Sequence, residues 1–245
     1  MCSAAAIWFG HAIFACMLGL LPWRGLVRYR RLKQAVADRI PDTKVRFYRA
    51  SVVFQSCVVG IVLSFWLLSG VPAKALGIAM PTRWDVTIAV SVVVVLSLAT
   101  SVRAFRTRGD RQLRQLIKVA GALLPLSTAE RWWFVAVAIG AGLSEELLAR
   151  GFVIFYLWQR IPGEDVTWIV WGSGFVFGVC HLYQGWRHVI LYTILGACFA
   201  WLYLITGSLL LPIIVHAAID LRIAVIMTQE RLQTLQAEPA LTTPS

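Results

Sequence analysis

Apolar residues run through this chain in long stretches broken by short polar segments. The pattern predicts helices of membrane length at about 4–21, 50–69, 85–102, 131–157, 166–183, 187–206 and 208–227. Each has roughly the 17–25 residues that a bilayer core demands of a helix. The reading is an all-α, polytopic transmembrane bundle of about seven spans, with an eighth compatible with the pattern. Residues 1–227 form one integral domain without a Gly/Ser linker or long-period repeat, and the polar segment 228–245, with its two prolines, reads as a disordered tail.

Composition agrees: 59% of the residues are hydrophobic and only 14% charged, which excludes an ordinary soluble domain. The net charge of +11 would suit a nucleic-acid binder if the basic residues were not placed as they are. Nine Lys or Arg fall between the first two spans and six after the third. With Arg131, Arg187, Arg222 and Arg231 they belong on the cytoplasmic side, whereas Lys74, Arg83 and Arg160 fall outside. The positive-inside rule then sets the N-terminus outside and the C-terminus in the cytoplasm. The lipid bilayer, and not nucleic acid, is the expected partner. The first apolar run has no basic segment before it and reads as a retained helix rather than a secretory signal. The ending is not CaaX, so the chain carries no prenylation signal of its own. In the second basic segment Leu113, Leu116, Ile117 and Ala120 share a helical face, interspersed with Arg106, Arg108, Arg111 and Arg114. That fits a helix on the anionic leaflet or a solvated charged helix equally well.

The stretch GLSEELLARG, 142–151, breaks the apolar rule in the middle of the fourth span. Each charge there costs about 2.5–3.5 kcal/mol, so three unpaired ones would cost about 8–10 kcal/mol, the whole stability of a typical domain. Glu146 and Arg150 are spaced i, i+4 and can pair, which leaves Glu145 about 100° around the helix on another face. A carboxylate not neutralised by a partner is available to take a proton, as a general base must. Few other chemically capable side chains lie in the spans: His181 ends FGVCH in the fifth, and His216 and Asp220 share one face of the seventh. Together they could hold a water, donate to an oxyanion or bind a metal.

Plainer roles compete. The Glu146–Arg150 pair could staple helices; His11 reads as a packing group and His188 as interfacial. Gly174 and Gly178 form a GxxxG face suited to close packing. Cys2, Cys16, Cys57, Cys180 and Cys198 lack CxxC spacing and read as small buried hydrophobes. Simple upright helices also separate the candidates, with Glu145 mid-membrane, His181 near the inner end and His216 nearer the outer end. Tilt, a break at Gly172 or Gly174, or shifted boundaries would bring them together.

The order Glu145-Glu146-x-x-x-Arg150, Phe177-x-x-x-His181, His216-x-x-x-Asp220 closely resembles the CAAX-protease and bacteriocin-processing (CPBP, or Abi) family of intramembrane endopeptidases, over about 130–227. The resemblance implies a membrane-embedded hydrolase, expected in a bacterial inner membrane, that cuts a membrane-associated protein or peptide. It implies Glu145 as the base that activates water, His181 as holder of that water, His216 and position 220 as oxyanion stabilisers, and Glu146, Arg150 and Phe177 as support. Position 220 departs from the pattern: the best-studied members have Asn, which can donate, whereas ionised Asp220 only accepts. Asp220 must then be protonated, orient His216 or bind a cation. Glu145, His181, His216 and Asp220 are also plausible zinc ligands, but no HExxH is present and the reading favours chemistry without metal. The alternatives are a non-catalytic immunity or scaffold protein of the same fold, and a transporter or proton relay using the buried carboxylates; the latter would call for matching motifs in the first half.

Overall fold

A computed structural model describes residues 4–108, 121–161, 163 and 165–227. The expected amphipathic helix around 113–120 and the tail from 228 lie outside the described residues, as does Cys2. The described chain is helical without strands. Its helices are α1 (Ala4–Leu18), α2 (Leu20–Ala37), α3 (Thr43–Ser69), α4 (Trp84–Arg108), α5 (Thr128–Glu146), α6 (Ile154–Arg160), α7 (Val166–Cys180), α8 (Trp186–Thr206) and α9 (Leu210–Ile226). Among the described residues five helical stretches are long and apolar enough to cross a membrane: Ala4–Ala37, Thr43–Ser69, Trp84–Phe105, Thr128–Arg160 and Trp186–Thr206. The protein is an integral membrane protein on this ground. α7, with 15 residues, and α9, with 17, are shorter.

The first basic segment is not a loop, because the helix begun at Ala4 continues through it to Ala37. Its arginines lie along α3 instead of projecting freely: Arg24 sits over the Phe54 ring at 3.8 Å, and Arg28 over Phe47 at 4.6 Å. Such contacts use the long aliphatic stem and the aromatic face together. A turn with Arg39 and Asp42 at positive φ reverses the chain into α3.

Two sets of hydrogen bonds fix the ends. At one end the Lys44 ammonium donates to the carbonyls of Gly121 (2.9 Å) and Leu124 (2.8 Å), and the Tyr48 hydroxyl to that of Leu123 (2.8 Å). This seats the segment before α5, whose start is capped by Ser127 Oγ accepting from the Glu130 amide. At the other end the Leu209 amide donates to Gly77, the Thr82 amide to Thr206, and the Ser208 hydroxyl to Ala79. The α8–α9 turn is thereby tied to the start of α4. Gly77, at φ 73°, has no room for a side chain because Tyr203 and Leu209 press on it.

α7 and α8 pack through glycine. A Cβ on Gly174 would stand 2.5 Å from the Thr193 carbonyl oxygen and 2.8 Å from the Ala197 nitrogen; one on Gly178 would meet the Val189 carbonyl at 2.5 Å. The GxxxG face is a packing face, and α7 runs unbroken through Gly172 and Gly174, so no helix break joins the site. The cysteine reading fails for three positions: Cys16, Cys57 and Cys198 are exposed on the outer surface, with Cys180 half-buried. In a membrane that surface faces acyl chains, so exposure there carries no hydrophobic penalty.

Candidate active site

The site forms where α5, α7 and α9 meet. α9 approaches α5 at Gly142, where a Cβ would lie 2.9 Å from the Ile213 carbonyl and 3.0 Å from Ala217 Cβ. Without that glycine His216 could not reach the acidic pair.

Directly after the glutamates, Leu147–Val153 forms a π-helical turn joining α5 to α6. Such turns add a residue to the helical repeat and strain the backbone hydrogen-bond ladder. Within it the Ala149 carbonyl accepts from the buried Ser173 hydroxyl of α7 at 2.8 Å. All seven residues of the turn are buried.

Arg150 and Glu146 are both fully buried, and Arg150 Nη1 donates to Glu146 Oε1 at 3.1 Å. Arg150 Nη2 donates to the Gly196 carbonyl at 3.1 Å. The guanidinium carbon lies 4.6 Å from the Phe177 ring centre and 5.3 Å from that of Phe199. The same Glu146 Oε1 meets His216 Nδ1 at 2.7 Å. A cation enclosed this way has a carboxylate, a carbonyl and two ring faces in place of water.

The two histidines are held alike. His181, at the C-cap of α7, has Nδ1 at 2.9 Å from the Phe177 carbonyl oxygen. A carbonyl only accepts, so that nitrogen carries hydrogen. On His216, Nδ1 likewise donates to the carboxylate of Glu146. Each ring therefore turns Nε2 inward, and in the neutral form that atom is an acceptor. Glu145 Oε2 lies 3.7 Å from His181 Nε2 and 4.0 Å from His216 Nε2, while Asp220 Oδ2 lies 3.7 Å from His216 Nε2. Glu145 Oε2 is buried and has no hydrogen-bond partner among the described residues. Four acceptor-rich groups thus face one another, an arrangement that requires protons or cations among them. The Glu145 and Asp220 side chains remain 34% and 39% exposed against 13% for both imidazoles, so the carboxylates mark the open side.

α7 accounts for the depth. Its 15 residues span about 22 Å, less than the roughly 30 Å of hydrocarbon, so its C-terminal His181 ends inside the membrane. The irregular backbone after it, a short 3₁₀ turn at Leu182–Gln184, is covered by α2, where Tyr29 meets Tyr183 edge-on and Gly25 leaves room for that ring. Sequence reasoning placed all these candidates but missed Tyr192, stacked on His181 at 4.3 Å between centroids and donating its hydroxyl to Gln184 Oε1 at 3.2 Å. It also missed Phe199, edge-on to His216. One clue to Tyr192 was available, a tyrosine one helical turn after His188 on a helix that follows His181.

Glu145, His181, His216 and Asp220 are a donor set that zinc accepts, yet the Glu145–His181, Glu145–His216 and His216–Asp220 separations of 3.7–4.0 Å exceed the roughly 3.4 Å between tetrahedral ligands. Among the described residues no three His, Cys, Asp or Glu groups are spaced to hold a metal ion. As arranged, the side chains do not fit one.

His11 Nδ1 lies 2.5 Å from the Tyr156 hydroxyl, on α1 and α6, apart from this cluster. His188 sits in the first turn of α8, its ring 6.3 Å from that of Tyr192.

Residues 127–222 match the family model described as type II CAAX prenyl endopeptidase Rce1-like. No curated protein and no solved structure matches the chain. The matched segment contains α5, α7, α8 and most of α9, and with them all three motifs.

Proposed function

Taking as premise that residues 127–222 are an Rce1-like domain of the CAAX-protease family, we propose that the chain is an intramembrane endopeptidase in which Glu145 activates water. The observation that carries this reading is the convergence of Glu145 Oε2 with the Nε2 atoms of His181 and His216 at 3.7 and 4.0 Å. Those gaps are too long for direct hydrogen bonds and suit a bridging water.

Such a water donates one hydrogen to Glu145 and the other to His181 Nε2, the only protonation pattern the fixed Nδ1–H of His181 allows in the neutral ring. Glu145 removes its proton as oxygen attacks the scissile carbonyl carbon. The carbonyl π pair moves onto oxygen. His216, doubly protonated and held at Nδ1 by Glu146, donates Nε2–H to that oxyanion, and protonated Asp220 donates beside it. The proton on Glu145 passes to the amide nitrogen as the C–N bond breaks, which regenerates the carboxylate. Glu146, Arg150 and Phe177 position these groups and touch no reacting atom. No step uses a metal.

The substrate is a peptide bond brought to the site from the membrane. The family's description makes a prenylated C-terminal peptide the first to test. In proteoliposomes, Glu145→Gln should lose about 10²–10⁴-fold in cleavage rate while its thermal unfolding matches the parent. Full activity in that variant would remove Glu145 as the base.

A further inference from the structure

His181 has to keep Nε2 aimed at the water, yet it stands at a poor place on α7 from which to do so. It is the C-cap of that helix, at φ −96° and ψ 10°, directly past the last regular turn, where helices fray. The bond from Nδ1–H to the Phe177 carbonyl, at 2.9 Å, fixes one edge of the ring and leaves the tilt of its plane open.

That tilt is set from outside α7. Tyr192 of α8 stacks on the imidazole with centroids 4.3 Å and planes 29° apart, and Phe177 closes a second side at 4.6 Å. The two flanking rings are 6.2 Å from each other and steeply inclined, at 76°, so they block rotation in different directions.

Tyr192 is held in turn. Its hydroxyl donates to Gln184 Oε1 at 3.2 Å, and Gln184 Nε2 donates to the Tyr183 hydroxyl at 3.0 Å. One carboxamide thus joins two phenols, its oxygen accepting from one and its nitrogen donating to the other. Tyr183 rests against α2, edge-on to Tyr29 at 5.5 Å, with Cδ1 3.2 Å from where a Cβ on Gly25 would stand. The chain of contacts therefore begins on a helix outside residues 127–222 and ends on His181.

We propose that Tyr192 is a positioning residue for the hydrolysis, keeping His181 Nε2 on the water through the ring stack, and that Gln184, Tyr183 and Tyr29 brace it from α2. The inference rests on the reading of His181 as holder of the water. A misplacement of about 1 Å can cost about 10²-fold in rate. Because His181 holds water and not substrate, the effect belongs in kcat and not in KM.

The experiment has two readouts, of which one needs no cleavage. Nitrogen NMR spectra of the full chain labelled at histidine, in detergent at a pH where the imidazoles are neutral, report the tautomer of His181, assigned by its absence in His181→Gln. The parent should carry hydrogen on Nδ1 alone. Tyr192→Leu should give a mixture of tautomers and, in proteoliposomes, lower kcat by about 30–100-fold with KM within about 2-fold. Tyr192→Phe and Gln184→Leu, which keep the stack and lose the bond that braces it, should fall between. Tyr156→Leu, which removes a stacked tyrosine on α6, should lower the unfolding midpoint and leave the His181 spectrum as in the parent. If Tyr192→Leu does not fold, Gln184→Leu decides by the same readouts. An unchanged His181 spectrum in Tyr192→Leu, an equal change in Tyr156→Leu, or a loss carried by KM would each overturn the proposal. A parent that cleaves nothing, with a His181 tautomer that still depends on Tyr192, would overturn the hydrolase reading and support the brace.

Discussion

Glu146 holds His216 by the ring nitrogen that points away from Glu145, at 2.7 Å, with the same carboxylate oxygen that receives Arg150 at 3.1 Å. One buried oxygen thus neutralises a cation and fixes a histidine orientation. Glu146→Ala would strand the Arg150 guanidinium in a dry interior, a loss of about 3–5 kcal/mol. Its unfolding midpoint in detergent should fall by about 10 °C, and an unchanged midpoint would contradict the pairing. Glu146→Gln, which keeps one acceptor, should recover part of that loss.

Asp220 faces the inward nitrogen of His216, not the one that Glu146 holds. Its place is therefore on the reacting side, where a donor is needed. Asp220→Asn, which supplies an amide N–H, should keep cleavage within about 10-fold of the parent, whereas Asp220→Leu should lose about 10²–10³-fold. Inactivity of the Asn variant with a normal fold would assign Asp220 an acceptor or cation-binding role.

The close approach of α7 and α8 rests on backbone atoms that cannot yield. Gly174→Leu, with Thr193 O at 2.5 Å from the first added carbon, should cost at least the 1–3 kcal/mol of ordinary overpacking and displace the Gly196 carbonyl from Arg150. Gly60→Ala offers the control: among the described residues nothing lies within 4 Å of its added carbon, so the midpoint should hold or rise slightly. Comparing the two melts separates steric contact from helix propensity.

The wide spacing of the acidic and imidazole groups leads to an expectation about metal. Purified protein treated with a strong chelator should keep its cleavage rate. Loss of activity on chelation, restored by one equivalent of zinc, would show that the side chains draw together around an ion.

The motifs were readable because charge in an apolar run is costly enough to stand out, and because i, i+4 spacing fixes a shared helical face. Glu146 with Arg150, and His216 with Asp220, needed nothing more. The π-helical turn at Leu147–Val153 was not readable, because part of what supports it, the Ser173 hydroxyl on the Ala149 carbonyl, comes from another helix. Hydropathy also drew the fifth span to 183, since it counts apolar residues and cannot see that the helix stops at Cys180. For the same reason it could not see α2: the nine basic residues between the first spans signal a membrane boundary, but a helix can pass through that boundary when aromatic rings on α3 receive its arginines. Tyr192 is legible only once α8 folds back along α7.

A helix that ends some 8 Å short of the far hydrocarbon boundary leaves the bilayer a local mismatch to absorb. Lipid beside α7 has to thin, or water has to enter past the Leu182–Gln184 turn that α2 covers, and either response shortens the oily path between bulk solvent and the imidazole. Hydration would then arrive from the arginine-rich surface alone. On the proposed function, a peptide bond threaded from that surface would need to descend only part of one leaflet, so scissile positions a few residues from a lipid anchor would be reachable, while those at the centre of a spanning segment would first have to unwind.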